Sequence, residues 1–234
     1  MNASNLVMFW GQGDAVTRGV AVLLLAMSVS AWVVIFWKGW LLRRVRNDIE
    51  RAVPAFWVAP SLDAGREALN AFDRERALAP LLAAAVATPP GGTLEAKGHA
   101  DSQLTRRLRD ALHGVLAQLQ FGQVLLASIG STAPFIGLFG TVWGIYHALM
   151  SISTAGQATI DKVAGPIGEA LIMTALGLAV AIPAVLGYNA LVRGNKFVLT
   201  KLNSFAHDLH AYFVTGARVQ SGGSDAIVVS LKKG

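Results

Sequence analysis

Cysteine is absent from the 234 residues of this chain, and charged residues are few. Without cysteine, neither a disulfide framework nor thiol chemistry can contribute to the protein. Charged residues make up 15% of the sequence, whereas an average soluble domain has about 25%. The sequence also lacks a Walker loop, a Gly-x-Ser-x-Gly motif and a His-Glu-x-x-His motif. We therefore expect a protein that is not an enzyme and needs no cofactor.

The scarce charge leaves three long apolar runs. Residues 19–37 and 114–160 contain no Asp, Glu, Lys or Arg, and residues 163–192 contain a single acid, Glu169. Since about 20 helical residues cross a bilayer core of about 30 Å, we predict an all-α membrane protein with three transmembrane helices. The predicted spans are 17–38, 127–151 and 163–192.

Basic residues flank these spans on one side. Twelve of the 20 lysines and arginines lie between Lys38 and Arg109, and six more follow Val192. Because positively charged loops stay in the cytoplasm, we predict that 39–126 is cytoplasmic and that 152–162 is an outer loop. The N-terminus is then periplasmic and the C-terminus cytoplasmic. This placement argues against nucleic acid as the partner, although the net charge is +6.

Helical patterns continue beyond the spans. Apolar residues repeat at helical spacing before span two and again after span three, in 193–219. We therefore predict that these two transmembrane helices extend into a cytoplasmic helical bundle, the earlier stripe running into span two without a break. Residues 1–16 are predicted to form an outer interfacial segment, and 220–234 a flexible tail. The stripe before span two consists of Leu104, Leu108, Ala111, Val115 and Leu119, and the stripe after span three of Val198, Leu202, Phe205, Leu209 and Tyr212.

The first span resembles a secretion signal in its position near the N-terminus. Its apolar run is longer than that of a signal peptide, and its basic residues follow the run instead of preceding it. We therefore expect this span to remain in the protein. Trp32, Trp37, Lys38 and Trp40 near its end are typical of a membrane interface.

Glu169 is the only carboxylate inside the third span. A charged residue inside a membrane helix costs about 2.5–3.5 kcal/mol on insertion scales, and such residues usually lie along an ion or proton path. An apolar environment favours the neutral form of a carboxyl group, so the residue is suited to carrying a proton. A snorkelling or helix-capping acid is the alternative interpretation.

Two threonines add hydroxyl groups to the apolar spans. Counted from the connecting loop, Thr141 of span two reaches a depth similar to that of Glu169. Thr174 lies five residues after Glu169, about 140° around a straight helix, so the two do not share a face unless Pro166 distorts the helix. A polar layer of these three residues across adjacent subunits is feasible. For Thr141, a hydrogen bond to a carbonyl of its own helix is the alternative.

Spans two and three are also rich in glycine and proline. Gly140-x-x-x-Gly144 is a pattern of small residues that lets helix backbones approach closely, and proline interrupts helical hydrogen bonding. His147, near the outer end of span two, is interpreted as an interfacial histidine, with a proton relay as the alternative. His207 and His210 lack a clear third ligand, so no metal site is predicted. We predict helix packing at Gly137, Gly140, Gly144 and Gly177, and helix kinks at Pro134, Pro166 and Pro183.

Two segments resemble the signature of the MotA/TolQ/ExbB proton-channel family. They are Pro134–Ile145, Pro-Phe-Ile-Gly-Leu-Phe-Gly-Thr-Val-Trp-Gly-Ile, and Val163–Leu178, which includes Gly-Pro-Ile-Gly-Glu-Ala-Leu-Ile-Met-Thr. The resemblance covers roughly 127–192, while the first half of the chain agrees in topology only. By matching motif positions, it implies that Glu169, Thr141 and Thr174 are the polar residues of the proton path.

The resemblance also implies partners and a role. It implies a homopentamer in the lipids of the bacterial inner membrane, which surrounds two copies of an ExbD-like single-span protein and works with a TonB-like protein. Such a complex uses the proton motive force to drive outer-membrane uptake of siderophores and similar cargo. A TolQ-like subunit of the Tol-Pal envelope system and a passive membrane scaffold are the alternatives.

Overall fold

The computed structural model describes residues 14–87, 99–155 and 160–216. These residues form six α-helices and contain no β-strand, as the predicted all-α class requires. The helices are α1 (Ala15–Val58), α2 (Leu62–Phe72), α3 (Ala79–Val86), α4 (Ala100–Gln120), α5 (Gln123–Ala155) and α6 (Ile160–Thr215).

Three of these helices are long and apolar enough to cross a membrane. They are α1, the part of α5 from Gln123 to Met150, and the part of α6 from Ala164 to Thr215. The prediction of three transmembrane helices is therefore confirmed. The ends of each span and the side of the membrane on which each connection lies stay predictions.

The first of two compact units combines the apolar parts of α1, α5 and α6. It contains the described residues up to Arg46 and those from Leu116 to Val198. Large apolar side chains also cover its outside, such as Phe36 and Phe135, which are 68% and 70% exposed. Helices that are apolar on every side are typical of membrane spans. The core residues of this unit are Val20, Leu24, Ala31, Leu126, Ile129, Ala133, Met173, Val180, Ala181, Ala184 and Leu191.

The second unit contains the described residues from Asn47 to Val115 and from Leu199 onward. The apolar stripe of α4 is buried there at Leu104, Leu108 and Val115, and that of α6 at Leu202, Phe205 and Leu209. The two stripes therefore pack as core faces of this unit, as their spacing predicted. Aromatic rings join α1 to α6 in edge-to-face contacts between Phe56, Trp57, Phe205 and Tyr212.

Two short helices follow α1. Ser61 caps α2, because its hydroxyl accepts a hydrogen bond from the amide of Ala64 at 3.2 Å. The carboxylate of Asp73 is buried and accepts hydrogen bonds from three backbone amides at the start of α3. Helix α2 therefore ends at Phe72, well before Pro80, which lies in the first turn of α3. A proline is tolerated there because that turn has no helical partner for its amide.

The predicted continuity between the α4 stripe and span two is wrong. Helix α4 ends at Gln120 and α5 begins at Gln123. Between them Gly122 has a positive φ of 87°, a left-handed conformation that glycine adopts readily. Two transmembrane helices do extend unbroken beyond the first unit, but they are α1 and α6. The membrane part of α5 therefore continues only through a separate helix, α4.

Several predicted segments fall outside the described residues. Nearly all of the interfacial segment 1–16, the middle of the loop 152–162 and the whole of the tail 220–234 are among them. They stay predictions.

Candidate functional site

A pair of hydroxyl groups lies between α5 and α6. The oxygen of Thr141 is 2.5 Å from that of Thr174 and 3.0 Å from the carbonyl oxygen of Ala170. Its distance to the carbonyl oxygen of Gly137, one turn earlier in its own helix, is 3.2 Å. Thr141 is only 6% exposed. The hydroxyl of Thr141 therefore bridges two helices as well as contacting its own helix.

The two hydroxyls can form a directed chain. A threonine hydroxyl donates one hydrogen bond and accepts up to two. If Thr174 donates to Thr141, the proton of Thr141 is available for the carbonyl of Ala170 or of Gly137. The opposite arrangement, with Thr141 donating to Thr174, satisfies the same 2.5 Å contact. In either direction one hydroxyl proton remains for a backbone carbonyl, so the pair is a hydrogen-bonded polar point between two apolar helices.

Glycines bring the two helices close enough for this contact. A Cβ atom added at Gly137 would lie 2.6 Å from the carbonyl oxygen of Met173, and one at Gly177 would lie 2.6 Å from that of Ala133. The Cα atoms of both glycines face each other across the contact.

The other two glycines of the packing prediction also face neighbouring side chains. A Cβ atom at Gly140 would lie 3.1 Å from Val20 and one at Gly144 would lie 2.9 Å from Ala170. Any larger side chain at Gly137 or Gly177 would collide with backbone atoms of the facing helix. At Gly140 and Gly144 it would meet side-chain atoms.

Glu169 makes no hydrogen bond with either hydroxyl of the pair. It precedes Ala170, whose carbonyl contacts Thr141, and is half-buried in the single chain. Its carboxylate makes no hydrogen bond or ion pair with any residue that the structure describes. The adjacent glycines, Gly165 and Gly168, leave open space around them, since an added Cβ atom would meet nothing within 4 Å. The carboxyl group of a single chain therefore has room for water or a neighbouring molecule.

The three prolines of the predicted kinks lie inside continuous helices. Pro134 is in α5, and Pro166 and Pro183 are in α6. Each removes one amide hydrogen bond from its helix. Pro166 stands three residues before Glu169 and cannot donate to the carbonyl one turn earlier in α6.

His147 lies in a polar cluster at the start of α1. Asp14 accepts a hydrogen bond from the amide of Ala15 at 2.8 Å and another from the indole of Trp143 at 3.1 Å. The imidazole of His147 is 3.6 Å from the same carboxylate. The indole hydrogen bond, followed by the backbone hydrogen bond, lowers the pKa of Asp14 below its usual value. His147 therefore lies next to an acidic side chain at the N-terminal end of α1.

His210 contacts two polar side chains of α4. Its imidazole is 2.9 Å from the carboxylate of Asp101 and 3.1 Å from the hydroxyl of Thr105. Within residues 14–87, 99–155 and 160–216, no group of three His, Asp or Glu side chains could hold a metal ion.

Sequence reasoning missed a group of buried polar residues. Lys38, Gln123 and Asn195 are 2%, 8% and 4% exposed, although Lys38 was interpreted as part of an interfacial belt. Two of them lie at or beyond the ends of the charge-free runs, which is the one signal that could have drawn attention to them. Burial cannot be read from such positions, because it depends on which helix ends meet there.

Three apolar helices, two of which share a buried hydroxyl pair, together with a lone carboxylate in an apolar run, are typical of a membrane protein with a polar site inside its spans. A family model for the MotA/TolQ/ExbB proton channel family matches residues 73–204. The chain therefore belongs to the MotA/TolQ/ExbB proton channel family.

Individual relatives agree with this assignment. The chain is 42% identical to the biopolymer transport protein ExbB of Xanthomonas campestris pv. campestris, over 89% of this chain and 86% of the relative. Its identity to the ExbB protein of Neisseria meningitidis is 41%, over 88% and 96% of the two chains. It is 32% identical to the Tol-Pal system protein TolQ of Pseudomonas aeruginosa, over 84% and 87%. The similarity is therefore higher to these ExbB proteins than to this TolQ protein.

Proposed function

We propose that this chain is the proton-channel subunit of an ExbB-type motor in the bacterial inner membrane. With ExbD-like and TonB-like partners, it converts the proton motive force into work for the uptake of siderophores and similar cargo across the outer membrane. Membership of a proton-channel family supports the channel, and the 42% identity to an ExbB protein supports the branch. The role is that of a transport component and not of an enzyme.

The hydroxyl pair is the single observation that carries this proposal. Thr141 and Thr174 form a polar bridge at 2.5 Å within two apolar runs, 114–160 and 163–192, whose only charged residue is Glu169. Glu169 is next to the carbonyl that completes the bridge. We infer that Glu169 takes up and releases the proton while the two threonines provide a polar wall. Each proton that crosses supplies about 2.3 kcal/mol per 100 mV, which is enough to bias a conformational step.

One chain does not enclose a path, so the proposal includes an oligomer. Glu169 is only half-buried in the single chain, and no described residue covers it with a hydrogen bond. A homopentamer around two copies of an ExbD-like single-span protein would place several copies of Glu169 around one axis. The glycine contacts of α5 and α6 support a rigid wall within each subunit, and the three prolines are proposed as points where that wall can bend.

The proposed orientation follows the basic residues. Lys38 to Arg109 and the residues after Val192 carry 18 of the 20 lysines and arginines, and such segments stay on the cytoplasmic side. Residues 39–126 and the end of α6 then lie in the cytoplasm, and the connection between α5 and α6 is periplasmic.

Complementation tests this proposal. The chain, expressed with its own ExbD- and TonB-like partners, is expected to restore growth on an iron–siderophore source to a strain that lacks ExbB. Its membrane level is measured in parallel. Restoration of envelope function in a strain that lacks TolQ, without restored siderophore growth, would place the chain in the Tol-Pal system.

Removing one hydroxyl tests the bridge. Thr141→Val keeps the shape of the side chain but removes the donor to Ala170 and the partner of Thr174. We expect siderophore-dependent growth to fall to near background. Thr141→Ser, which keeps the hydroxyl, is the matched control and should retain most of the growth. Equal growth of both variants at equal membrane levels would show that the hydroxyl has only a packing role.

A further inference from the structure

Lys38 is a buried cation at the end of another helix. It is 2% exposed, and its ammonium group donates to the carbonyl oxygens of Gln118 at 3.0 Å and of Leu119 at 3.4 Å. These carbonyls belong to the last turn of α4, where they have no partner within the helix. The rings of Trp37 and Phe121 lie 5.2 Å and 5.7 Å from the ammonium nitrogen. Within the described chain no carboxylate pairs with it.

A second side chain reaches the same carbonyl from α6. The amide nitrogen of Asn195 donates to the carbonyl oxygen of Leu119 at 3.2 Å, and Asn195 is 4% exposed. One backbone oxygen at the end of α4 thus receives donors from both α1 and α6. A cation at the carboxyl end of a helix is also favoured by the helix dipole.

The carbonyls that Lys38 and Asn195 contact lie just before a break between the helices α4 and α5. Gly122 lies at this break with a φ of 87°, and an added Cβ atom there would lie 3.2 Å from the side chain of Val34. Helix α5, which carries Thr141, starts directly after this break, and α6 carries Thr174 and Glu169. The hydrogen bonds of Lys38 and Asn195 therefore connect the start of α5 to α1 and α6 through the end of α4.

We propose that Lys38 is a positioning residue for the proton-driven cycle, a role that rests on the proposed function. Its ammonium group holds the end of α4, and Asn195 joins the same carbonyl to α6. A displacement of α6 when Glu169 changes its protonation state is then passed to the break between α4 and α5. The ammonium group has three hydrogens, so it can donate to both carbonyls from one buried site, and its charge is favoured at the carboxyl end of α4.

Hydrogen exchange of the segment 116–126 in the reconstituted complex tests the clamp. In Lys38→Met, which keeps the length of the side chain but removes the donors, we expect exchange at least about tenfold faster in this segment. In Lys38→Arg, which keeps a cation, the exchange rate of this segment should be closer to that of the intact chain. Arg43→Met removes an exposed cation from the same helix as Lys38 and should leave exchange unchanged.

Growth on the siderophore source tests the role in the cycle. At equal membrane levels we expect Lys38→Met to lose growth, and Lys38→Arg and Arg43→Met to keep it. Growth of Lys38→Met at the intact level overturns the proposal. So does equal exchange of Lys38→Met and Lys38→Arg, since the charge would then not hold the break.

If Lys38→Met does not accumulate in the membrane, a second variant tests the proposal. Asn195→Ala removes only the donor from α6 and is measured in the same two ways; unchanged exchange and growth would overturn the proposal. If the intact chain itself restores no uptake, the proposed function is wrong, and the exchange of the Lys38 variants still shows whether the clamp exists.

Discussion

Replacing Glu169 by glutamine is expected to abolish proton-driven uptake while leaving the protein assembled. Glutamine has nearly the same size and keeps polar atoms, but it cannot bind and release a proton. Because the carboxylate of Glu169 has no hydrogen bond or ion pair with a described residue, the substitution removes no intrachain contact that would hold the fold. Growth on an iron–siderophore source should therefore fall to the level of the strain that lacks ExbB.

The control is Glu67→Gln, which makes the same chemical change at an exposed position of α2. It should grow like the intact chain. Membrane level and size of the complex in mild detergent are measured for both variants. Growth of Glu169→Gln at the intact level would mean that the acid is structural, and the chain would then act as a passive scaffold for its partners. Loss of the complex itself would also contradict the proposed role, because it would assign Glu169 to assembly.

Replacing Gly137 by alanine is expected to destabilise the protein strongly, because the added methyl group would collide with backbone atoms of α6. Its Cβ atom would lie 2.6 Å from the backbone oxygen of Met173 and 3.1 Å from the Cα atom of Gly177. Neither atom can rotate away, so α5 and α6 must separate. Overpacking of this kind typically costs about 1–3 kcal/mol. The 2.5 Å contact between Thr141 and Thr174 should break as well, so activity should fall together with stability.

Gly19→Ala is the matched control. A Cβ atom at Gly19 would meet nothing within 4 Å, and alanine in a helix interior is otherwise favoured over glycine by about 0.5–1 kcal/mol. Thermal unfolding in detergent should therefore show a lower transition temperature for Gly137→Ala and an equal or higher one for Gly19→Ala. Equal transition temperatures would mean that the two helices adjust at little cost and that the glycine contact is not a constraint.

The transmembrane and amphipathic helices could be predicted from charge and apolar periodicity, because both are properties of a short stretch of sequence. An apolar run of about 20 or more residues is long enough to cross a bilayer core as a helix, whose backbone hydrogen bonds are all satisfied within the segment. The stripes of α4 and α6 were readable for the same reason, since helical spacing puts Leu104 and Leu108 or Leu202 and Phe205 on one face. The break after Gln120 was not readable, because glycines also occur inside unbroken helices of this chain, at Gly137 and Gly177.

The residues of the candidate site could be predicted from the sequence, but the contacts between them could not. Thr141, Thr174 and Glu169 stand out as polar residues in apolar runs. Their distances depend on how closely α5 and α6 approach and on how far each helix is rotated, which no local pattern contains. A polar layer across subunits stays a prediction, and the structure adds that Thr141 and Thr174 meet within one chain.

By itself, the sequence determined that this protein is an all-α membrane protein of three apolar helices with one acid among them. Composition decides this because apolar surface and isolated charge have a large free-energy difference between water and lipid. Only the tertiary structure decided that Lys38 is buried against α4 and that Thr141 touches Ala170 of another helix. Such contacts join residues far apart along the chain, and they are set by the packing of whole helices, not by any property of the residues themselves.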